Sequence, residues 1–473
     1  MSHTPLLVTG KNIVLENGMA ECALFIDGGR IAGIVSTEAG EALAAAHPGI
    51  RRIDAGENVV LPGAVDEHAH MWEPSSHAER EDWTSGSECA ASGGITTLFE
   101  MAQGEPPATT VAGLENKKTI AGAKSVVDFS FWGGCTGAVK ACGGQPEVQA
   151  ACAVEELHKA GCSSFKVFTA WFGPGFASLS DFELYAAMEK VAAVGGMLGV
   201  HCENSNLCDG FEARLKAQGR KIGKAHEEGR PVITETEAIS RVLMFAKATG
   251  CRVLILHLAT PEALPIIAQA RYEGVEVWVE TTPSYLTMNT DDLEKFGAHA
   301  KCAPPVRDEA ARLGLWEMVR EGYVDCIASD HFPFFDPERD AFKDDIFAAP
   351  SGMGGFDSML PRLIDEGVHR QELSWEVLAR LVATNPALIH GLYPKKGAIR
   401  LGADADLVIV DPETEWTYSG KNTLSRVKSL KTPLEGKKLR GKVLETLVRG
   451  ETVYRDGKIL QKPGFGEYVR PLP

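Results

Sequence analysis

The sequence predicts an α/β protein whose middle forms a (β/α)8 barrel, with small strand-rich pieces at both chain ends. Two observations carry this. From roughly residue 57 to residue 390, short apolar runs alternate with longer helix-like stretches. Residues 1–56 and 391–473 instead read as short strands and turns. The two end pieces are consistent with two domains, or with one domain into which the barrel is inserted.

At the start, LLVTGKNIVL, ECALFIDGGRIAGIV and RRIDAGENVVL alternate apolar and polar residues, broken by Asn-Gly and Gly-Gly. The barrel runs follow in order: VVLPGAVDEHAH, ITTLFEMA, SVVDFSFWGG, SSFKVFTAW, GMLGVHCE, RVLILHLAT, VEVWVETTP and VDCIASDH. Segments such as ITETEAISRVLMFAKATG lie between them, opening near Ser, Thr, Pro or acidic residues and closing on Gly. Ser180 and Glu183 have capping-box spacing. A doubly wound nucleotide-binding sheet shares the alternation, but the Gly-rich phosphate loop it normally carries is not found. The stretch from Phe332 to Gly355 is the longest irregular one and follows the last barrel run, where a βα loop faces the active site. AIRLGADADLVIVDP and LRGKVLETLVRGETVYRDGKIL return to strands and turns.

Composition narrows the partners. The 473 residues carry 48 Lys plus Arg against 64 Asp plus Glu, a formal charge of −16 with no basic stripe, so no nucleic-acid partner is expected. No apolar run of about 18 residues suggests a membrane span. The N-terminus lacks a secretory pattern, and the 11 Cys include no CxxC, so reduced thiols and a cytoplasmic location are expected.

The chemistry lies where the apolar runs end. His68 and His70 close the first run, and Lys166 lies in the fourth. His201 ends the fifth, His257 lies near the end of the sixth, and Asp330 is near the end of the eighth. A barrel brings these strand ends to one mouth. His68 and His70, two apart on a strand, face the same way. Imidazoles with a carboxylate suit zinc and similar divalent ions. Lys166 interrupts an apolar strand, and burying an ammonium is costly. It is either paired with a carboxylate such as Glu100, or neutral and converted by CO2 to a carbamate able to bridge two cations.

LPGAVDEHAH, EDWTSGSECAASGGITT, SSFKVFTAW, GVHCEN, ILHLAT, KCAPPVRDEAARLGLWE, DCIASDHFPF and GAIRLGADADLVIVDP together resemble the cyclic-amide branch of the amidohydrolase superfamily. That branch holds allantoinases, hydantoinases, dihydropyrimidinases and dihydroorotases. The resemblance covers nearly the whole chain. It implies that residues 1–56 and 391–473 form one composite β-sandwich beside a barrel of residues 57–390. It also implies two divalent ions, zinc by default, held by His68, His70, carboxylated Lys166, His201, His257 and Asp330. A hydroxide bridging the ions would attack a cyclic amide, with Asp330 as base and then acid, opening the ring. The partners implied are a small cyclic amide and further copies of the chain, as in the tetramers common among relatives.

Chain-wide, EDWTSG…GGITT followed by PPATT, and KCAPPVRD, look most like allantoinases, while SSFKVFTAW looks more like hydantoinases. Hydantoinase or dihydropyrimidinase activity, or hydrolysis of a cyclic imide or lactam, are the alternatives. Several pocket positions depart from these families. Trp171 stands where hydantoinases carry Tyr, Ala303 where Ser precedes Pro-Pro, and Ser351 where Asn is common. Trp72 replaces the Arg of dihydroorotases or Asn of allantoinases, and Gly104 replaces a further Asn. Trp72, Trp171 and Phe172 suggest an aromatic pocket for a ring less polar than allantoin. A non-catalytic scaffold of this fold would lack ligand residues, whereas all six positions are intact. A mononuclear deaminase would normally lack the lysine.

Overall fold

A computed structural model describes residues 4–47, 49–136, 153–170 and 176–472. Both chain ends enter one nine-stranded sheet. The N-terminal part supplies β1 (Leu6–Leu15), β2 (Gly18–Asp27), β3 (Arg30–Val35), β4 (Arg51–Asp54) and β5 (Val59–Pro62). The β2–β3 hairpin turns on Gly28 and Gly29 at φ 58° and 79°, the paired positive φ values that match a tight turn to strand twist.

The barrel strands are β6 (Ala64–Ala69), β7 (Ile95–Glu100), β8 (Asp128–Phe131), β9 (Gly133–Gly134), β10 (Ser164–Phe168), β11 (Met197–His201), β12 (Arg252–Ile255), β13 (Val277–Thr281) and β14 (Cys326–Ile327). Every pairing among them is parallel. Their pairings form a three-stranded and a six-stranded sheet. The two join where β8 runs on through Trp132 into β9, and where Ala69 bridges His331 beyond β14. The strands are buried on both faces, which is why they read as apolar runs rather than as alternation. Helices cover the outside. The helix Asp181–Ala193 opens on the expected capping box: Glu183 N–H donates to Ser180 Oγ at 3.4 Å, and Ser180 N–H to Glu183 Oε2 at 2.8 Å.

The chain returns to the first sheet through β15 (Leu407–Thr417), β16 (Lys438–Val448), β17 (Glu451–Arg455) and β18 (Lys458–Ile459). Strand β5 pairs parallel with β1 and antiparallel with β15, so it sews the two chain ends together. Period-two alternation then serves two cores. Val60, Leu407 and Ile409 pack inside the sandwich, while Val59, Leu61, Val408 and Val410 face the barrel core. The passage into the barrel falls at Gly63, where a Cβ would stand 2.3 Å from Thr96.

One buried cation ties the two units. Lys396 Nζ donates to Asp128 of β8 at 2.5 Å and to Asp406 at 2.7 Å, with Asp404 at 3.0 Å. Arg449 also binds Asp128. Burial works against the Lys396 charge, yet Asp406 and Asp404 hold its pKa above the usual lysine value. Lys396→Met leaves these buried carboxylates without their shared lysine. It is expected to cost about 3–5 kcal/mol of stability, read by chemical denaturation.

Candidate metal centre and cavity

The barrel mouth holds a cavity of about 210 Å³. His68, His70, Lys166, His201, His257 and Asp330 all line it. His68 Nε2 and His70 Nε2 each lie 3.3 Å from Asp330 Oδ1. His201 Nδ1 and His257 Nε2 lie 3.0 Å apart. His257 and Asp330 adopt φ 40° and 46°, a left-handed backbone uncommon for side-chain-bearing residues. That strain falls where the chain leaves a strand and turns a side chain into the mouth.

Two buried carboxylates set which ring nitrogen each histidine presents. Glu280 of β13 lies 2.9 Å and 3.1 Å from His68 Nδ1 and accepts the His257 N–H at 2.8 Å. His68 therefore turns Nε2 inward, where it is buried and makes no hydrogen bond among the described residues. Glu203 lies 2.9 Å from His201 Nε2, and Arg230 donates to Glu203 at 2.6 Å. His201 thus presents Nδ1. Burial raises Glu203, but Arg230 and His201 outweigh it and pull the carboxyl down to about 2. Burial lowers all four histidines, leaving neutral imidazoles with available lone pairs. This donor set fits a divalent cation, and such partners on the outer ring nitrogen are typical of metal-binding histidines.

Lys166 is almost fully buried, with Nζ 4.6 Å from the Phe168 ring centre. Burial pulls it down to about 8 against the pull of Asp330 and Glu280. The Glu100 partnership considered for it goes to Lys117 instead, at 2.5 Å.

Of the expected pocket residues, Trp72, Ala303 and Ser351 line the cavity, as does Gly104. Trp171 and Phe172 lie outside the described residues. Trp72 donates its indole N–H to Pro333 C=O at 2.9 Å and stacks on Phe332 with ring centres 4.6 Å apart and planes 12° apart. The Arg80 guanidinium covers it at 4.1 Å. Trp72 therefore offers an aromatic surface, and its donor is already used. Gln103, Phe168, Phe176 and Phe332 also line the cavity without having been expected there. Glu280 was missed too, although it nearly closes VEVWVETTP, a barrel run left without an assigned polar end.

Known proteins agree with this architecture. A profile described as the amidohydrolase family matches residues 59–453. An L-hydantoinase of Paenarthrobacter aurescens is 35% identical over 465 residues, covering 98% of this chain and 97% of that protein. An allantoinase of Escherichia coli O139:H28 is 33% identical over 455 residues, covering 95% of each chain. The solved L-hydantoinase (dihydropyrimidinase) from Arthrobacter aurescens superposes with a TM-score of 0.91 at 33% identity, covering 99% of this chain and 100% of that one. The chain belongs to the amidohydrolase family, a family of metal-dependent enzymes.

Glu280→Gln is expected to weaken retention of a divalent cation by about 10- to 100-fold, because both Glu280 oxygens face His68 Nδ1 and the amide would replace one of them with an NH2 donor. Competition against a chromogenic chelator measures this. Retention equal to wild type would remove Glu280 from the account.

Proposed function

We propose that this enzyme hydrolyses the ring C–N bond of a small cyclic amide on an allantoinase-like scaffold. The observation that carries the reading is the convergence of four histidines, Lys166 and Asp330 on one cavity in a member of this family. His68, His70, Lys166 and Asp330 would hold one divalent ion, and Lys166, His201 and His257 a second, zinc being the default. When bound, such ions supply Lewis acidity at the amide carbonyl and make water acidic enough to serve as a nucleophile near neutral pH.

The chain's own groups do the rest. Lys166 as a neutral amine adds to CO2, forming an N–C bond and releasing one proton. The product is an anion with two oxygens, suited to two cations, where the free ammonium would repel both. Asp330, with Oδ1 facing both His68 and His70, takes the proton of the attacking water and delivers it to the departing ring nitrogen. The backbone N–H and C=O of Ala303 and Ser351 make no hydrogen bond among the described residues. Both residues line the cavity, so these groups are placed to receive the ring's own amide.

A second reading, the hydantoinase type, is favoured by the Trp72–Phe332 stack. This wall offers no cation to a substrate carboxylate, because Arg80 is held by Glu338 at 2.8 Å and lies over Trp72. It suits a cyclic ureide, imide or lactam less polar than allantoin.

Metal analysis is expected to find about two ions per chain. Lys166→Ala is expected to abolish turnover, and wild-type rates in that variant would refute the carbamate. A panel of allantoin, 5-substituted hydantoins, dihydrouracil, cyclic imides and lactams identifies the ring. Efficient turnover of allantoin alone would defeat the less polar pocket.

A further inference from the structure

The irregular stretch after β14 runs along the cavity and ends in a strap, residues 347–352, that supplies Ser351 and Gly352 to its wall. Two buried basic side chains grip this strap. Lys301 Nζ donates to Ala349 C=O at 2.6 Å and to Phe347 C=O at 3.2 Å. The Arg339 guanidinium donates to Gly352 C=O with one nitrogen and to Ala298 C=O with another. Neither forms an ion pair among the described residues. Burial pulls Lys301 down to about 7 and Arg339 to about 10. With no carboxylate paired to either, it is the backbone carbonyls that replace their lost water, so each side chain holds the strap by N–H donation and is held by it in turn.

The strap is confined on its other side as well. Gly352 N–H donates to Lys301 C=O at 3.0 Å, and Phe332 N–H to Met353 C=O at 2.8 Å. Gly352 has φ 133°, and a Cβ there would stand 2.8 Å from Phe332. Between the fastened Ala349 and Gly352 sits Ser351, whose backbone groups make no hydrogen bond among the described residues.

We propose that Lys301 and Arg339 are positioning residues that fix the strap's backbone at the distance from the metal centre that seats the substrate ring. The proposal rests on the ring-opening reading above. Neither side chain lines the cavity, so both act through Ser351 and Gly352. Arg339 reaches the aromatic wall too: its guanidinium lies 5.3 Å from the Phe334 ring centre, and Phe334 packs edge-on against Trp72 and Phe332. One side chain thereby sets the backbone wall and the aromatic wall relative to each other.

The test compares Lys301→Met and Lys301→Arg with wild type, using the metal-loaded full chain. It reads amide hydrogen exchange over residues 345–353, metal content, and KM and kcat for a ring substrate. In the Met variant, exchange should accelerate and KM should rise about 10- to 100-fold, the effect of a misplaced binding group. Its kcat should change by less than about threefold and its metal content should not change. Arg, which restores the donors, should recover most of the KM. Arg339→Lys should shift KM in the same direction, and it serves if the Met variant does not fold. Unchanged exchange, unchanged KM, or a loss of kcat together with metal would each overturn the proposal. A wild-type chain inert on every ring substrate would defeat the ring-opening reading. Exchange over the strap would then decide alone whether the two side chains fasten it.

Discussion

A backbone contact helps close the barrel on the side where the chemistry sits. His70 N–H donates to His331 C=O at 3.0 Å, next to the bridge between Ala69 and His331. This links the first strand to the chain just beyond the last one. It fixes Asp330 opposite His68 and His70, residues far apart in sequence. His331 itself points away from the centre. Its Nδ1 accepts the Gly355 N–H at 3.0 Å, and its ring lies flat on Phe356 at 3.7 Å. The ring behind Asp330 is thus anchored. On its other side, Ser329 donates its N–H to Asp66 Oδ1 at 2.9 Å and its hydroxyl to Asp66 Oδ2 at 2.5 Å, so Asp330 is held in its unusual backbone conformation by both neighbours.

Electrostatics follow from the same closure. The mouth gathers imidazoles, an amine and carboxylates, and burial works against the charge of the four histidines, Lys166, Glu203 and Glu280. The carboxylates differ in what opposes burial. Glu203 keeps its charge because Arg230 lies against it, while burial and then the nearby Glu67 raise Glu280 well above the usual carboxylate range. Both still point a histidine inward.

Much of this was legible in the sequence. His68, His70, Lys166, His201, His257 and Asp330 stand in or at the ends of apolar runs, and a parallel barrel turns that one-dimensional regularity into convergence. The barrel was readable because its strands are buried on both faces, and the end pieces because theirs alternate. What could not be read was pairing at long range. Glu280 meets His68, Glu100 meets Lys117 rather than Lys166, and Trp72 meets Phe332, and none of these partnerships leaves a local pattern. Trp72 was recognised as a pocket residue, but the use of its indole N–H on Pro333 was not, because that acceptor is a distant backbone carbonyl. The pinning of the strap by Lys301 and Arg339 was hidden for the same reason, since carbonyls carry no sequence signature.

The position of β5 has a consequence for how the chain is made. Its partners lie at opposite ends of the sequence: β1 precedes it, and β15 emerges only after the whole barrel. During synthesis, the Val59–Pro62 edge therefore stays open on one side while the entire hydrolase core is translated. An apolar strand with an unpaired edge is a template for joining another chain. The ribosome-bound intermediate is thus open to association at this waiting seam, which β15 seals once the barrel has been made.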